Sequence, residues 1–187
     1  MRIPIRVFVL IGMLGIAYPM FADDEPTLEG KGEPVFQQSK QLWAHSYLWA
    51  KSPEFVVEKW LSEEPDMSDK FILIEYWSTW CSSCRRAQPL MNRLQERFGD
   101  ELVIIGISDE QEDKVRQYMK KEEIQYHMAI DTQKRMKDEL GIYGIPHVII
   151  VEPGGYIIWE GFPLLEGYEL TEETVEKILA IGRAKKS

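Results

Sequence analysis

From residue 70 onward, short unbroken apolar runs alternate with stretches in which apolar positions recur every three or four residues. Phe71-Ile72-Leu73-Ile74 opens a run to Trp77 that reads as a buried strand, and Leu102–Ile107 reads as a second. Neither run alternates with polar residues, which is the pattern of parallel strands covered on both faces. Between them, Cys81 or Cys84 to Phe98 reads as an amphipathic helix ended by Gly99-Asp100. Glu110–Glu122 follows, with Val115, Tyr118 and Met119 spaced for one helical face. Tyr126–Ile130 is expected as a short strand and Gln133–Leu140 as a short helix stopped by Gly141. His147–Val151 and Tyr156–Glu160 flank Pro153-Gly154-Gly155, a tight turn joining an antiparallel pair. Thr171–Gly182 is a last helix, capped by Thr171, with Glu173 or Thr174 in its first turn. The order predicts an α/β fold: a central mixed β-sheet flanked by helices on both faces, with a hairpin at one edge.

The chain before residue 70 lacks this regularity. Arg2 and Arg6 precede the apolar run Val7–Ile16, and small residues follow. That is the layout of a secretory signal, and the run is too short to span a bilayer. Gly15-Ile16-Ala17 offers one cleavage site, and Ala22, just before Asp23-Asp24-Glu25-Pro26, the preferred one. Residues 1–22 are therefore expected to be a signal peptide on an exported protein, the alternative being an uncleaved anchor. Residues 23–36, charged and rich in Gly and Pro, read as a linker. Residues 37–66 read as an N-terminal extension and 67–187 as the main domain. Within the extension, Gln37–Ala50 is expected to be helical, broken by Ser52-Pro53, and Phe55–Leu61 a short strand or turn.

Composition narrows the chemistry by exclusion. Apolar residues make up 44% of the 187, enough for a real core. Asp and Glu outnumber Lys and Arg by 31 to 22, for a net charge of −9, so the basic stripe that a nucleic-acid partner requires is missing. His45, His127 and His147 are the three histidines, too scattered to suggest a metal site. The two cysteines stand two residues apart, so a bridge between them closes almost no loop and constrains the unfolded chain little. A structural staple is the weaker reading of that pair.

Glu75-Tyr76-Trp77-Ser78-Thr79-Trp80-Cys81-Ser82-Ser83-Cys84 runs from the first strand into the first helix. A helix start favours a thiolate, because its backbone N–H groups are unpaired and its dipole end is positive. Cys81 is thus expected to be the exposed, acidic sulfur, and Cys84, one turn in, the buried and less acidic one. Such a pair suits thiol–disulfide exchange. Glu75, a carboxylate inside an apolar strand, is expected to have a raised pKa and to take the Cys84 proton through water, unless it points to the surface at a strand end. Trp80, abutting Cys81, is expected to shape the rim of the site and contact substrate, whereas Trp77 belongs to the core. Arg85 and Arg86 read as solvent-facing. His147 is open between tuning the cysteines and serving as a strand residue, and Trp159-Glu160-Gly161-Phe162-Pro163 between a surface near the site and a hairpin cap.

These residues resemble the thioredoxin-fold thiol–disulfide oxidoreductases, especially the exported TlpA/ResA type. The match lies in Trp80-Cys81-x-x-Cys84 after a strand, in Gly144-Ile145-Pro146 before the next strand, and in a helix and strand inserted at about Asp109–Ile130. It covers roughly Phe55–Ala180. The resemblance implies a thioredoxin-like fold in which Cys81 attacks, Cys84 resolves and Glu75 occupies the buried-acid position. It also implies that Pro146 is cis beside the disulfide and that the Ile145 backbone pairs with an extended substrate. No cofactor or metal beyond the Cys81–Cys84 couple is implied. The partners implied are protein thiols or disulfides, with a membrane thiol electron donor, and reduction is the expected direction. A disulfide oxidase or isomerase of the same fold is the alternative, and a Cu(I)-binding metallochaperone using Cys81, Cys84 and His147 a more distant one. The chain departs from the family pattern at Ser82-Ser83, at Ala87, at His147 and at Gly106, where thioredoxins tend to place a lysine facing the acid.

Overall fold

A computed structural model describes residues 42–186, so the signal and linker readings for 1–36, and the start of the expected 37–50 helix, lie outside the described residues. Ten elements follow in order: β1 (Lys59–Trp60), β2 (Phe71–Trp77), α1 (Ser82–Phe98), β3 (Leu102–Ser108), α2 (Glu112–Met119), β4 (His127–Ile130), α3 (Arg135–Glu139), β5 (His147–Val151), β6 (Ile157–Gly161) and α4 (Glu172–Lys186). The strands form one six-stranded sheet in the order β1-β4-β3-β2-β5-β6. β2, β3 and β4 run parallel, while β5 and β6 continue the sheet antiparallel beside β2. This is the mixed sheet expected, with the hairpin at its edge.

The unbroken apolar runs find the burial they require. All seven residues of β3 and all five of β5 are buried. Along β2 the side chains alternate between two layers. Leu73 and Trp77 join Cys81, Cys84, Met91 and Leu94 of the α1 side, with Val175, Ile178 and Leu179 of α4. Ile74 and Tyr76 join Met136, Leu140 and Ile142 on the other side. The helix α1 buries Cys84, Ala87, Gln88, Met91 and Leu94, the three-and-four spacing of one face. Each large aliphatic side chain so covered contributes about 1.5–3 kcal/mol. Gly155, in the left-handed region at φ 82°, closes the β5–β6 turn, its N–H donating to the Glu152 carbonyl at 2.7 Å.

The segment 42–50 corrects one expectation: it is not helical. Apart from one turn bond, from the Ala50 N–H to the Tyr47 carbonyl, its backbone hydrogen bonds go outward. The Trp43 carbonyl accepts from the N–H groups of Tyr143 and Gly144, and the Trp49 N–H donates to the Ile157 carbonyl at 2.7 Å. The Ser46 hydroxyl donates to the buried Glu160 carboxylate, which also takes the Tyr47 N–H at 2.9 Å. Trp49 itself is left-handed, at φ 67°. The apolar spacing that suggested a helix is that of a strap laid along β6. The helix α2 is shorter than the expected Glu110–Glu122 at both ends: Gln111, extended at ψ 146°, caps its start, and Lys120 caps its end.

Candidate active site

Cys81 is the N-cap of α1 and Cys84 lies in its first turn, and the two are joined as a disulfide. The Cys84 N–H donates to the Cys81 sulfur at 3.1 Å. The first sulfur therefore occupies the acceptor position that an N-cap side chain normally fills. The Ser83 hydroxyl lies 3.3 Å from the same sulfur. On its other side, the Ile145 carbonyl oxygen stands 3.8 Å away, at the cis Ile145–Pro146 bond that was expected. Cys81 is 4% exposed and Cys84 fully buried. Cys84 is buried as expected, but Cys81 is buried as well and not the exposed sulfur that a helix start alone predicts, because the Ile145–Pro146 loop stands against it. Trp80 is 69% exposed beside this covered sulfur, and Trp77 is buried, as expected.

The strand-to-helix loop is braced from two sides. The Thr79 N–H and hydroxyl donate to the Glu110 carboxylate at 2.5 and 2.9 Å, and the Arg85 guanidinium donates to the Thr79 carbonyl at 2.8 Å. Arg85 is exposed, as read from sequence, yet it holds the loop.

Glu75 is wholly buried and belongs to the register of Leu73 and Trp77, the face of the sheet that carries Cys84. The surface alternative considered for it is thereby removed. One carboxylate oxygen, Oε2, accepts from the Tyr126 hydroxyl at 3.2 Å, while Oε1 has no hydrogen bond. Loss of hydration pushes its pKa up to about 8, against a smaller lowering by the Tyr126 hydroxyl. Gly106 is its register partner in β3. No side chain of β3 therefore stands opposite the acid at this register position, and a tyrosine reaches it instead.

His147 is buried at the head of β5, its ring edge-on to Phe162 at 6.3 Å. Phe162 also meets Trp43 edge-on at 4.8 Å, and Trp43 closes over Gly144. The Trp159–Pro163 segment thus divides: Trp159 and Glu160 are core, and Phe162 faces the loop that carries Ile145. Sequence reading missed Glu110, Tyr126 and Trp43. Gly106, an unexplained glycine inside a buried strand, was the available signal for Tyr126; nothing comparable marked the others. Among the described residues, no three His, Cys, Asp or Glu side chains are grouped to hold a metal ion.

Comparison with known proteins agrees with this arrangement. Over 135 residues, 69% of this chain and 75% of the relative, it is 26% identical to the thiol-disulfide oxidoreductase ResA of Bacillus thuringiensis subsp. konkukian. The thioredoxin domain of a thiol-disulfide oxidoreductase from Bacteroides vulgatus superposes with a TM-score of 0.50 at 29% identity, covering 59% of this chain and 80% of that one. StoA from Bacillus subtilis superposes with a TM-score of 0.54 at 17% identity, covering 65% and 93%. Residues 51–160, more than half the chain, match the AhpC/TSA family. With its thioredoxin-like sheet and its Cys81–Cys84 pair, the chain belongs to that family.

Proposed function

We propose that this protein is a thiol–disulfide oxidoreductase that reduces protein disulfides outside the cytoplasm. The carrying observation is the Cys81 sulfur, held between the Cys84 N–H at the start of α1 and the Ile145 carbonyl. An N–H directed at that sulfur favours the thiolate once the pair is reduced. The Ile145 backbone, next to it, offers an extended substrate segment a place to pair, and Trp80 adds an exposed aromatic rim.

The reaction proceeds by two displacements. The Cys81 thiolate attacks one sulfur of a substrate disulfide, forming a mixed disulfide and expelling the other substrate sulfur as a thiolate. Cys84 then gives its proton to the Glu75 carboxylate and attacks the Cys81 sulfur, expelling the second substrate thiolate. The substrate gains two electrons and ends as a dithiol, and Cys81–Cys84 ends as the disulfide. When a thiol donor reduces that disulfide, Glu75 returns a proton to Cys84 as it leaves. A carboxyl whose pKa lies near 8 holds that proton at neutral pH. The donor would be a membrane thiol protein, since residues 1–22 have the layout of an export signal.

The equilibrium potential of the pair, measured in a dithiothreitol or glutathione series on protein lacking residues 1–22, tests the direction. A value nearer about −270 mV than about −120 mV supports reduction. A value near the upper figure would make the protein a disulfide donor or isomerase.

A further inference from the structure

In its register, Glu75 faces Gly106 across the β2–β3 pair, and the empty place at Gly106 has a use. A Cβ there would lie 3.1 Å from a Tyr126 ring carbon, 3.1 Å from the Trp77 indole nitrogen and 2.8 Å from the Met128 sulfur. Any side chain at 106 would therefore press on the Tyr126 ring. Bare backbone at that point lets the ring, entering from just before β4, bring its hydroxyl to Glu75 Oε2. Tyr126 is itself buried among Met128, Val115 and Trp77.

A neutral phenol and a lysine do different things to a buried acid. An ammonium would hold the carboxylate ionised. A phenol donates one hydrogen bond without adding charge, so the acid stays easy to protonate while one of its oxygens is occupied. With Oε2 accepting from Tyr126, the proton of the neutral acid belongs on Oε1, the oxygen with no other bond.

We propose that Tyr126 is a positioning residue for the redox proton: its hydroxyl ties down Glu75 Oε2 and leaves Oε1 as the oxygen that gives and takes the proton of Cys84. The proposal rests on the reading of Glu75 given above. Gln88 of α1 extends the arrangement. Its carbonyl oxygen accepts from the Tyr118 hydroxyl at 2.8 Å, while its amide nitrogen makes no hydrogen bond. Tyr118 with Gln88, and Tyr126 with Glu75, are thus two hydrogen-bonded pairs that form a row of polar side chains in an otherwise apolar layer.

Few other titratable groups face this row. From α2 comes Tyr118, with Arg85 and Glu122 on its outer side. From α1 come Cys84, in the disulfide, and neutral Gln88. From β3 and β5 come Gly106 and Val148, while His147 is in register with Tyr76, which belongs to the other face. A shift on altering Tyr126 can therefore be read at Glu75.

The test is a carbon-13 titration of glutamate carboxyls in the oxidised protein. It is run beside the pH profile for reduction of the Cys81–Cys84 disulfide by dithiothreitol. Glu75→Gln identifies the resonance. In Tyr126→Phe its midpoint should rise by about one to two pH units, the worth of one hydrogen bond to a charged group, and the rate profile should move with it. Replacing Tyr126 with 3-fluorotyrosine, a stronger donor of nearly the same size, should move both the opposite way. If neither replacement moves the carboxyl midpoint, Tyr126 is packing only and the proposal falls. If the midpoint moves but the rate profile does not, the proposal again falls as a statement about the redox proton. The Glu75→Gln rate profile separates the two failures: unchanged from the parent protein, it overturns the underlying role of Glu75 as well.

Discussion

Glu75 and Tyr76 are neighbours in β2, both buried, each with a polar atom that makes no hydrogen bond, and each with its pKa raised chiefly by loss of water. They face opposite layers. Glu75 belongs to the layer with Cys84 and α1, and Tyr76 to the layer with Met136 and Leu140, beside a small cleft lined by Asp109, Asp131 and Lys137. Burial brings the carboxyl into the range where it can exchange a proton near neutrality. Burial and the charge of Asp131 push the phenol far above its ordinary range, where it keeps its proton at any pH the protein meets. The same physical term thus produces a usable group on one face and an inert one on the other. Burial alone does not mark a functional residue; the starting pKa and the company it keeps decide.

The largest effects should come from the sulfurs. Cys81→Ser should abolish turnover in an insulin or glutathione-disulfide reduction assay, because the thiol that remains, Cys84, is fully buried. Cys84→Ser should keep the first displacement and lose the second, so a covalent adduct with substrate accumulates on a non-reducing gel. Turnover persisting in Cys81→Ser would remove the distinction between the faces at its root.

Next comes Glu75→Gln. An amide of the same shape cannot take or return the proton, so reduction of the disulfide at pH 7 should slow by about 100-fold, the low end for general acid–base catalysis. Stopped-flow following tryptophan fluorescence would measure it. Tyr76→Phe should stay within about twofold of the parent, because that hydroxyl never exchanges its proton. Equal losses in the two variants would mean that packing in β2, and not the carboxyl, sets the rate.

Stability against pH separates the two residues again. The Glu75 carboxyl, ordinarily at 4.5, stands at about 8 when folded. Below pH 4.5 it is protonated in both states and contributes nothing to the pH slope. Between 4.5 and 8 the unfolded chain ionises and the folded protein does not, so the unfolded state binds fewer protons and stability falls as pH rises. The loss across that window should be on the order of 4 kcal/mol. Glu75→Gln should lack this contribution, so its advantage over the parent should grow from pH 5 to pH 8 in urea unfolding and level off beyond. A parallel pair of stability curves would show that Glu75 is not held neutral.

How much of this could be read beforehand follows the same physics. The strands and α1 were legible because their apolar residues repeat with the period of the element that buries them. Cys81, Cys84, Ile145 and Pro146 were legible because local motifs carry them. The partner of Glu75 was not. Tyr126 lies 51 residues away, and it meets the acid only because β4 lies beside β3 and Gly106 leaves room. The strap was misread for a related reason. Leu42, Trp43, Tyr47 and Leu48 carry a helical spacing, but the backbone of Trp43, His45 and Trp49 finds its partners at Leu140, Tyr143, Gly144 and Ile157, more than 90 residues on. Spacing reports which residues are covered and is silent on what supplies the hydrogen bonds.

The smallest effect belongs to Tyr76→Phe in stability, where two contributions oppose each other. Removing the hydroxyl removes a buried polar atom that makes no hydrogen bond, which should stabilise, since an unpaired buried group carries a desolvation penalty of about 1–3 kcal/mol. The hydroxyl also fills space beside Asp131 and Met136, and its loss leaves a gap whose lining gives up dispersion contacts. The two should nearly cancel, leaving Tyr76→Phe within about 1 kcal/mol of the parent by urea unfolding at pH 7. The difference should also be flat from pH 5 to pH 9, because nothing in that residue titrates there. A slope in that range would mean that the Tyr76 layer holds a proton of its own, and the contrast between the two faces of β2 would then be one of degree.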